Sequence, residues 1–302
     1  MKKIELVLWF QCNCRCRFCV VEPAAARQIM DTATALRHLE RAREGGASAV
    51  DFGGGEPTLR KDLAELARAA KKLGYEKIGV KSNGLRLCYP EVVEELLRAG
   101  VGHFAVSVWG ASPGEHDALS RAEGSFEMME MGVKHVLDLG GEVSAEILLT
   151  TETVPRLEEL TRALSELGIR EFHLWLYSLF GSGGALPELL PRLSEAGRAI
   201  AWAAWSAEKD VRFSTTHVPP CFLSGAEELY ENIAASDLVI VTPGNSFPAE
   251  SSPFEAGAKT ARCRGCAEEE RCAGIRPEYL RRFSDAEVRP VRDGGRLLES
   301  GR

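Results

Sequence analysis

Short apolar runs of β type alternate with amphipathic helical stretches through the first two thirds of the chain. Strands are predicted at Ile4–Phe10, Ala49–Phe52, Lys77–Lys81, His103–Val108, Glu142–Leu149 and Glu171–Tyr177. Between them, apolar positions recurring every three to four residues predict helices over Thr32–Glu44, Leu63–Leu73, Pro90–Arg98, Ser125–Leu139 and Leu157–Leu167. Asp31 and Thr32 offer N-caps, and Gly45, Gly74, Gly100, Gly140 and Gly168 each follow a last apolar turn, where a left-handed C-cap is expected. Six βα repeats with short links predict a parallel sheet with right-handed crossovers. Six units are fewer than the eight that close a full barrel, so periodicity leaves a partial barrel and a doubly wound sheet both open. In either, chemistry belongs at the C-terminal ends of the strands.

Beyond Leu186 a long helix is expected through Ala201–Trp205, then a short strand at Val211–Ser214. The character then changes. His217–Pro220, Pro243–Pro253 and Asp293-Gly294-Gly295 are rich in turn formers. This places a boundary near residue 215, dividing the chain into 1–215 and 216–302.

Directly after the first strand comes Cys12-Asn13-Cys14-Arg15-Cys16-Arg17-Phe18-Cys19. The C-x3-C-x2-C spacing of Cys12, Cys16 and Cys19 puts three thiolates on one tight loop. A closed structural site wants four ligands, whereas a site that does chemistry keeps one position open. A [4Fe–4S] cluster on these three would leave one iron for a small molecule. A zinc loop or a disulfide knot is the alternative, but zinc would want a fourth ligand nearby. The 9 cysteines are clustered at 12–19 and 263–272, with Cys88 and Cys221 apart. Without a secretion signal, clustered cysteines are more often metal ligands than disulfides.

The remaining composition changes little. The 302 residues are 45% apolar and 27% charged, with net charge −7, which argues against a nucleic-acid groove. No apolar run is long enough for a membrane span, and Met1-Lys2-Lys3 leads straight into a strand without an h-region, so a cytoplasmic protein is expected.

The second strand ends in Asp51-Phe52-Gly53-Gly54-Gly55-Glu56-Pro57-Thr58. Glycines let the backbone turn sharply and approach a ligand. Alone, this is an ordinary βα turn. Next to the cysteine loop, the pair resembles the radical S-adenosylmethionine (SAM) superfamily, whose C-x3-C-x2-C loop usually carries an aromatic penultimate residue, here Phe18. The resemblance implies an α/β fold of partial (βα)6 TIM-like barrel type. It implies that the open iron is chelated by SAM and that Gly54-Gly55-Glu56-Pro57 binds the methionine amino group. Small polar residues at later strand ends would contact the ribose and carboxylate. Ser82, Asn83 and Ser107 are the candidates, with Thr150 and Thr151 behind them. Leu174–Tyr177 is a candidate for the adenine.

A second pattern, Cys263-x2-Cys266-x5-Cys272, could hold zinc or iron–sulfur. In this company it resembles the SPASM/twitch extension of radical SAM enzymes, which carries an auxiliary [4Fe–4S] cluster. The fuller pattern would have further cysteines where Arg276 and Ala249 stand. One auxiliary cluster is therefore expected, on Cys221, Cys263, Cys266 and Cys272. If Cys221 does not reach, one iron would stay open to substrate. Cys14 is expected to be a bystander. Cys88 is either a structural thiol or a hydrogen donor to a substrate radical. Glu115, His116 and Asp117 are either substrate contacts or an N-capped, solvated helix start.

The resemblance implies an outside one-electron reductant of flavodoxin or ferredoxin type, cleavage of SAM to a 5′-deoxyadenosyl radical, and hydrogen abstraction from substrate. A peptide substrate is expected, as in peptide maturation, with a small metabolite (sugar, nucleotide or cofactor precursor) as the alternative. The start at the first strand leads to the expectation of no fused peptide-recognition domain, which favours a small molecule unless a separate recognition protein serves. A non-catalytic iron–sulfur carrier or zinc-binding protein would have no use for the glycine turn beside the thiols.

Overall fold

The computed structural model describes residues 2–21, 25–179 and 186–292. Among these, one sheet runs through the molecule. Strands β1 (Lys3–Val7), β2 (Ala49–Gly53), β3 (Lys77–Ser82), β4 (His103–Val108), β5 (Glu142–Leu149), β6 (Glu171–Leu176) and β7 (Arg212–Thr216) pair in parallel in chain order. On the free side of β1, β8 (Leu238–Val241) pairs in parallel and β9 (Ser246–Pro248) pairs antiparallel to β8. Helices α1 (Thr32–Glu44), α2 (Leu63–Lys72), α3 (Pro90–Ala99), α4 (Pro113–Ser120), α5 (Ser125–Asp138), α6 (Leu157–Leu167) and α7 (Leu193–Ser206) lie between the strands, and α8 (Pro277–Phe283) follows in the tail.

The strands alternate between two environments. Ile4 and Leu6 of β1 and Phe172, Leu174 and Leu176 of β6 are buried with the helices. Glu5 of β1, Lys81 of β3, Glu146 of β5 and Trp175 of β6 take the opposite face. Lys81 Nζ bonds Glu5 Oε2 at 2.7 Å, lies 5.9 Å from the Trp175 ring centre, and Trp175 Nε1 donates to Glu146. In a flat sheet β3 and β6 would be roughly 14 Å apart, at about 4.8 Å per strand. Side chains meeting across that gap require the sheet to curl. The fold is an α/β partial barrel with a charged lumen.

Several boundaries differ from expectation. The first strand ends at Val7, not Phe10. Leu8–Phe10 peels away because its backbone is claimed by Ile29 and by the glycine turn: Trp9 bridges Ile29, and Trp9 O accepts from Gly55 N at 2.8 Å. The strand expected at Val211–Ser214 is a full seventh member of the sheet, so the division at residue 215 falls inside β7. The tail also returns to the same sheet through β8. Asp293-Gly294-Gly295 lies outside the described residues.

Candidate active site

The cysteine loop leaves β1 at its C-terminal end and is held by backbone on two sides. On one side the glycine turn after β2 docks against it: Gly55 N donates to Trp9 O and Glu56 N to Gln11 O, both at 2.8 Å. Trp9 Nε1 returns a bond to Glu56 O at 3.0 Å. Gly54 has φ +133°, and a Cβ on Gly55 would stand 2.6 Å from the carbonyl carbons of Gln11 and Phe10. Only glycines allow this approach. On the other side α4 supplies carbonyls: Arg15 N bonds Ser120 O at 3.0 Å and Arg17 N bonds Leu119 O at 2.9 Å. Phe18 packs edge-on against Trp109, with ring centres 4.7 Å apart.

Glu56 is fully buried, and its carboxylate is spent inside the protein. Oε1 accepts from Thr58 N, Thr58 Oγ1 and Ser82 Oγ, and Oε2 accepts from Asn83 N. Burial pushes its carboxyl upward, against the pull of those bonds. The side chain thus ties the end of β2 to the end of β3. Ser82 is committed to the same knot, also receiving Gly84 N. Asn83 turns its amide nitrogen toward the loop, 2.8 Å from Asn13 Oδ1 and 3.4–3.6 Å from the sulfurs of Cys14 and Cys12. Pro57 begins the short 3-10 turn Pro57–Leu59. Ser107 lies half-buried on β4. Thr150 is consumed by a turn with Thr153, and Thr151 bonds Glu188 O.

Glu115, His116 and Asp117 are not a solvated helix start. His116 is 1% exposed and bonds Ser125 Oγ at 3.0 Å. Asp117 accepts from Gly124 N, Ser125 Oγ and Phe126 N. Glu115 accepts from Ala111 N and Arg156. Together they fix α4, whose carbonyls fix the cysteine loop. Sequence reasoning missed this brace because it acts through main-chain carbonyls, which leave no residue signature.

Burial lowers the pKa of His116, and likewise of His103 and His217. Each therefore folds in neutral form. The stability this contributes is fully present above the ordinary histidine value of about 6.5 and is lost as pH falls through the lowered values. The expected result is a flat melting temperature from pH 8 to 7 and a progressive fall from pH 6.5 to 5. The fall should be smaller in His116→Gln, as read by anaerobic thermal denaturation.

Three thiols of the loop, those of Cys12, Cys14 and Cys19, are pushed toward the protonated form in the metal-free chain. Hydrogen bonding with Cys14, then burial, pushes Cys12 up. Cys14 itself, its bond with Cys12 pulling down but that with Cys16 and burial prevailing, is pushed up to about 12. Burial raises Cys19. A cluster assembling here must displace those protons. Cys88 sits on the 3-10 turn Leu85–Cys88, packed against α5 in the outer helical layer, its thiol raised by burial and by Glu91.

In the tail, Cys221 (on the turn Pro220–Phe222), Cys263, Cys266 and Cys272 line one pocket with Pro219, Lys259 and Val288. Burial and then the neighbouring cysteines push Cys221 up to about 12. Gly274 N donates to Cys272 Sγ at 3.2 Å. Among the described residues no three such side chains stand close enough for a single ion. A four-iron cube instead takes one thiolate per iron, and four cysteines around one pocket are a donor set of that kind. The pocket is tied to the barrel by His217, which accepts from Arg276 at 3.0 Å and bonds Glu255 at 2.9 Å.

A curled parallel sheet with a three-thiol loop and a glycine turn at its C-terminal edge defines an enzyme class that holds a cluster with one iron open to a small molecule. The sequence profile of the Radical SAM superfamily matches residues 6–164, and the chain belongs to that family. It is similar to a probable GTP 3′,8-cyclase of Saccharolobus solfataricus, 28% identical over 178 residues, covering 58% of this chain and 56% of that protein. It is also similar to an AdoMet-dependent heme synthase of Nitratidesulfovibrio vulgaris, 24% identical over 205 residues, 66% of this chain and 55% of that protein. The chain thus spans little more than half the length of these relatives. Among solved structures, Streptococcus suis SuiB bound to its precursor peptide SuiA matches with TM-score 0.68 and 17% identity, over 90% of this chain and 69% of that one. Among the described residues no helix is long and apolar enough to cross a membrane.

Proposed function

We propose that this chain cleaves SAM reductively at a [4Fe–4S] cluster held by Cys12, Cys16 and Cys19 and abstracts a hydrogen atom from a peptide substrate. The observation that carries the reading is the backbone interlock of cysteine loop and glycine turn at the C-terminal ends of β1 and β2. The cluster and SAM supply the radical chemistry. Gly54, Gly55, Glu56 and Pro57 form the turn beside the methionine amino group, and Glu56, whose carboxylate and main chain are both bonded within the protein, holds that turn in shape. Ser107, half-buried on β4, would contact the ribose of bound SAM. Phe18, braced on Trp109, keeps the loop in place.

The four tail cysteines hold an auxiliary [4Fe–4S] cluster that accepts the electron left on the substrate. An external flavodoxin- or ferredoxin-type protein supplies the first electron, and a separate protein presents the peptide. Support for a peptide comes from SuiB, whose likeness covers 90% of this chain and whose structure holds a precursor peptide. A small metabolite is the second reading, favoured by the cyclase and heme synthase relatives.

Anaerobic reconstitution followed by SAM and dithionite should yield 5′-deoxyadenosine; none, with or without candidate peptides, would sink the enzyme reading. Two clusters predict about eight irons per chain, falling to about four in Cys263→Ala. A count near four in the unaltered protein would leave the tail without a cluster.

A further inference from the structure

We infer that Asn83 is a positioning residue that donates an N–H to the Cys12 sulfur and thereby raises the reduction potential of the N-terminal cluster. The inference rests on the reading that Cys12, Cys16 and Cys19 hold that cluster. The Asn83 main chain is pinned by Asn83 N to Glu56 Oε2 at 2.8 Å. Its side-chain oxygen accepts from Leu85 N at 3.1 Å. With the oxygen end engaged there, the nitrogen end faces the cysteine loop. That nitrogen carries two hydrogens. One meets Asn13 Oδ1 at 2.8 Å, and the other has Cys14 Sγ at 3.4 Å and Cys12 Sγ at 3.6 Å within reach.

The two sulfurs are unequal once metal is bound. Cys14 stands outside the C-x3-C-x2-C ligand set, and a thiol that holds no metal is a weak acceptor. Cys12 as ligand is a thiolate, and a charged acceptor draws the stronger hydrogen bond. Donation to a ligand sulfur stabilises the more negative, reduced cluster, and such bonds are among the factors that set iron–sulfur potentials. Asn13 competes for the same amide. Removing it should therefore strengthen donation to sulfur and move the potential the other way.

The test is potentiometric titration of reconstituted protein, followed by electron paramagnetic resonance of the reduced N-terminal cluster. The tail cluster is removed in all samples by Cys263→Ala. Asn83→Ala and the isosteric Asn83→Asp should both shift the potential more negative, Asp further than Ala. Asn13→Ala, a change at an exposed position, should shift it less negative. SAM affinity is read in parallel from the spectral change on SAM addition. An unmoved potential in Asn83→Ala and Asn13→Ala overturns the inference. So does a tenfold loss of SAM affinity at unchanged potential, which would make Asn83 a SAM contact. If the Asn83 variants take up no iron, the sign of the Asn13→Ala shift decides alone. The underlying cluster assignment fails separately, if the parent protein gives no reduced signal that Cys12→Ala abolishes.

Discussion

Cys16→Ala is expected to lower 5′-deoxyadenosine formation at least about a thousandfold, roughly 4 kcal/mol in the barrier. Its effect on the fold should be small. Cys16 is only half-buried, and its loop is held by main-chain bonds from Gly55 and Glu56 and by those of Arg15 and Arg17 to α4. None of these uses the sulfur. The metal-free variant should therefore melt within a few degrees of the parent. Bound iron should fall by about four per chain, the loss of one cluster. Retained iron together with retained cleavage of SAM would remove Cys16 from the site. A protein that no longer folds would contradict the main-chain account of the loop.

Gly55→Ala should do the reverse, damaging the fold first and the chemistry through it. The added Cβ would overlap the Gln11 and Phe10 backbone, and no rotamer can relieve a backbone clash. Overpacking of this kind costs about 1–3 kcal/mol, and the bonds of Gly55 N and Glu56 N to the loop are strained with it. A drop of roughly 2–5 °C in melting temperature is expected for a chain of this size, with poor iron uptake at the N-terminal site. Gly53→Ala is the internal control. Its nearest neighbour would be the flexible Glu5 carboxylate at 3.4 Å, so its melting temperature should barely move. Equal stability of the two variants would show that the loop and turn do not interlock.

The alternation of strands and helices was readable because each helix has an apolar stripe and each central strand a buried face. The bounds of α1, α6, β4 and β5 match the pattern residue for residue. The thiol loop and glycine turn were readable because few other chemistries want those residue types at that spacing. Roles within the site were less legible. Glu56 stands in a motif that implies a ligand contact, yet its carboxylate meets Ser82 and Asn83, which lie 26 and 27 residues away. His116 and Asp117 read as a polar helix start and are a brace, His116 buried and Asp117 half-buried.

By itself, the sequence determined which elements form and which side chains are able to ligate metal, since both depend on local pattern and residue chemistry. Tertiary structure alone decided what those side chains meet. The curl of the sheet turns Glu5, Lys81, Glu146 and Trp175 into one lumen cluster. The return of the tail along β1 places Cys221 in a pocket with cysteines some 40–50 residues further on. α4 holds the cysteine loop through carbonyls that any residues could have supplied. Contacts made by main chain, or between residues distant in sequence, carry no local pattern, so only the folded chain reveals them.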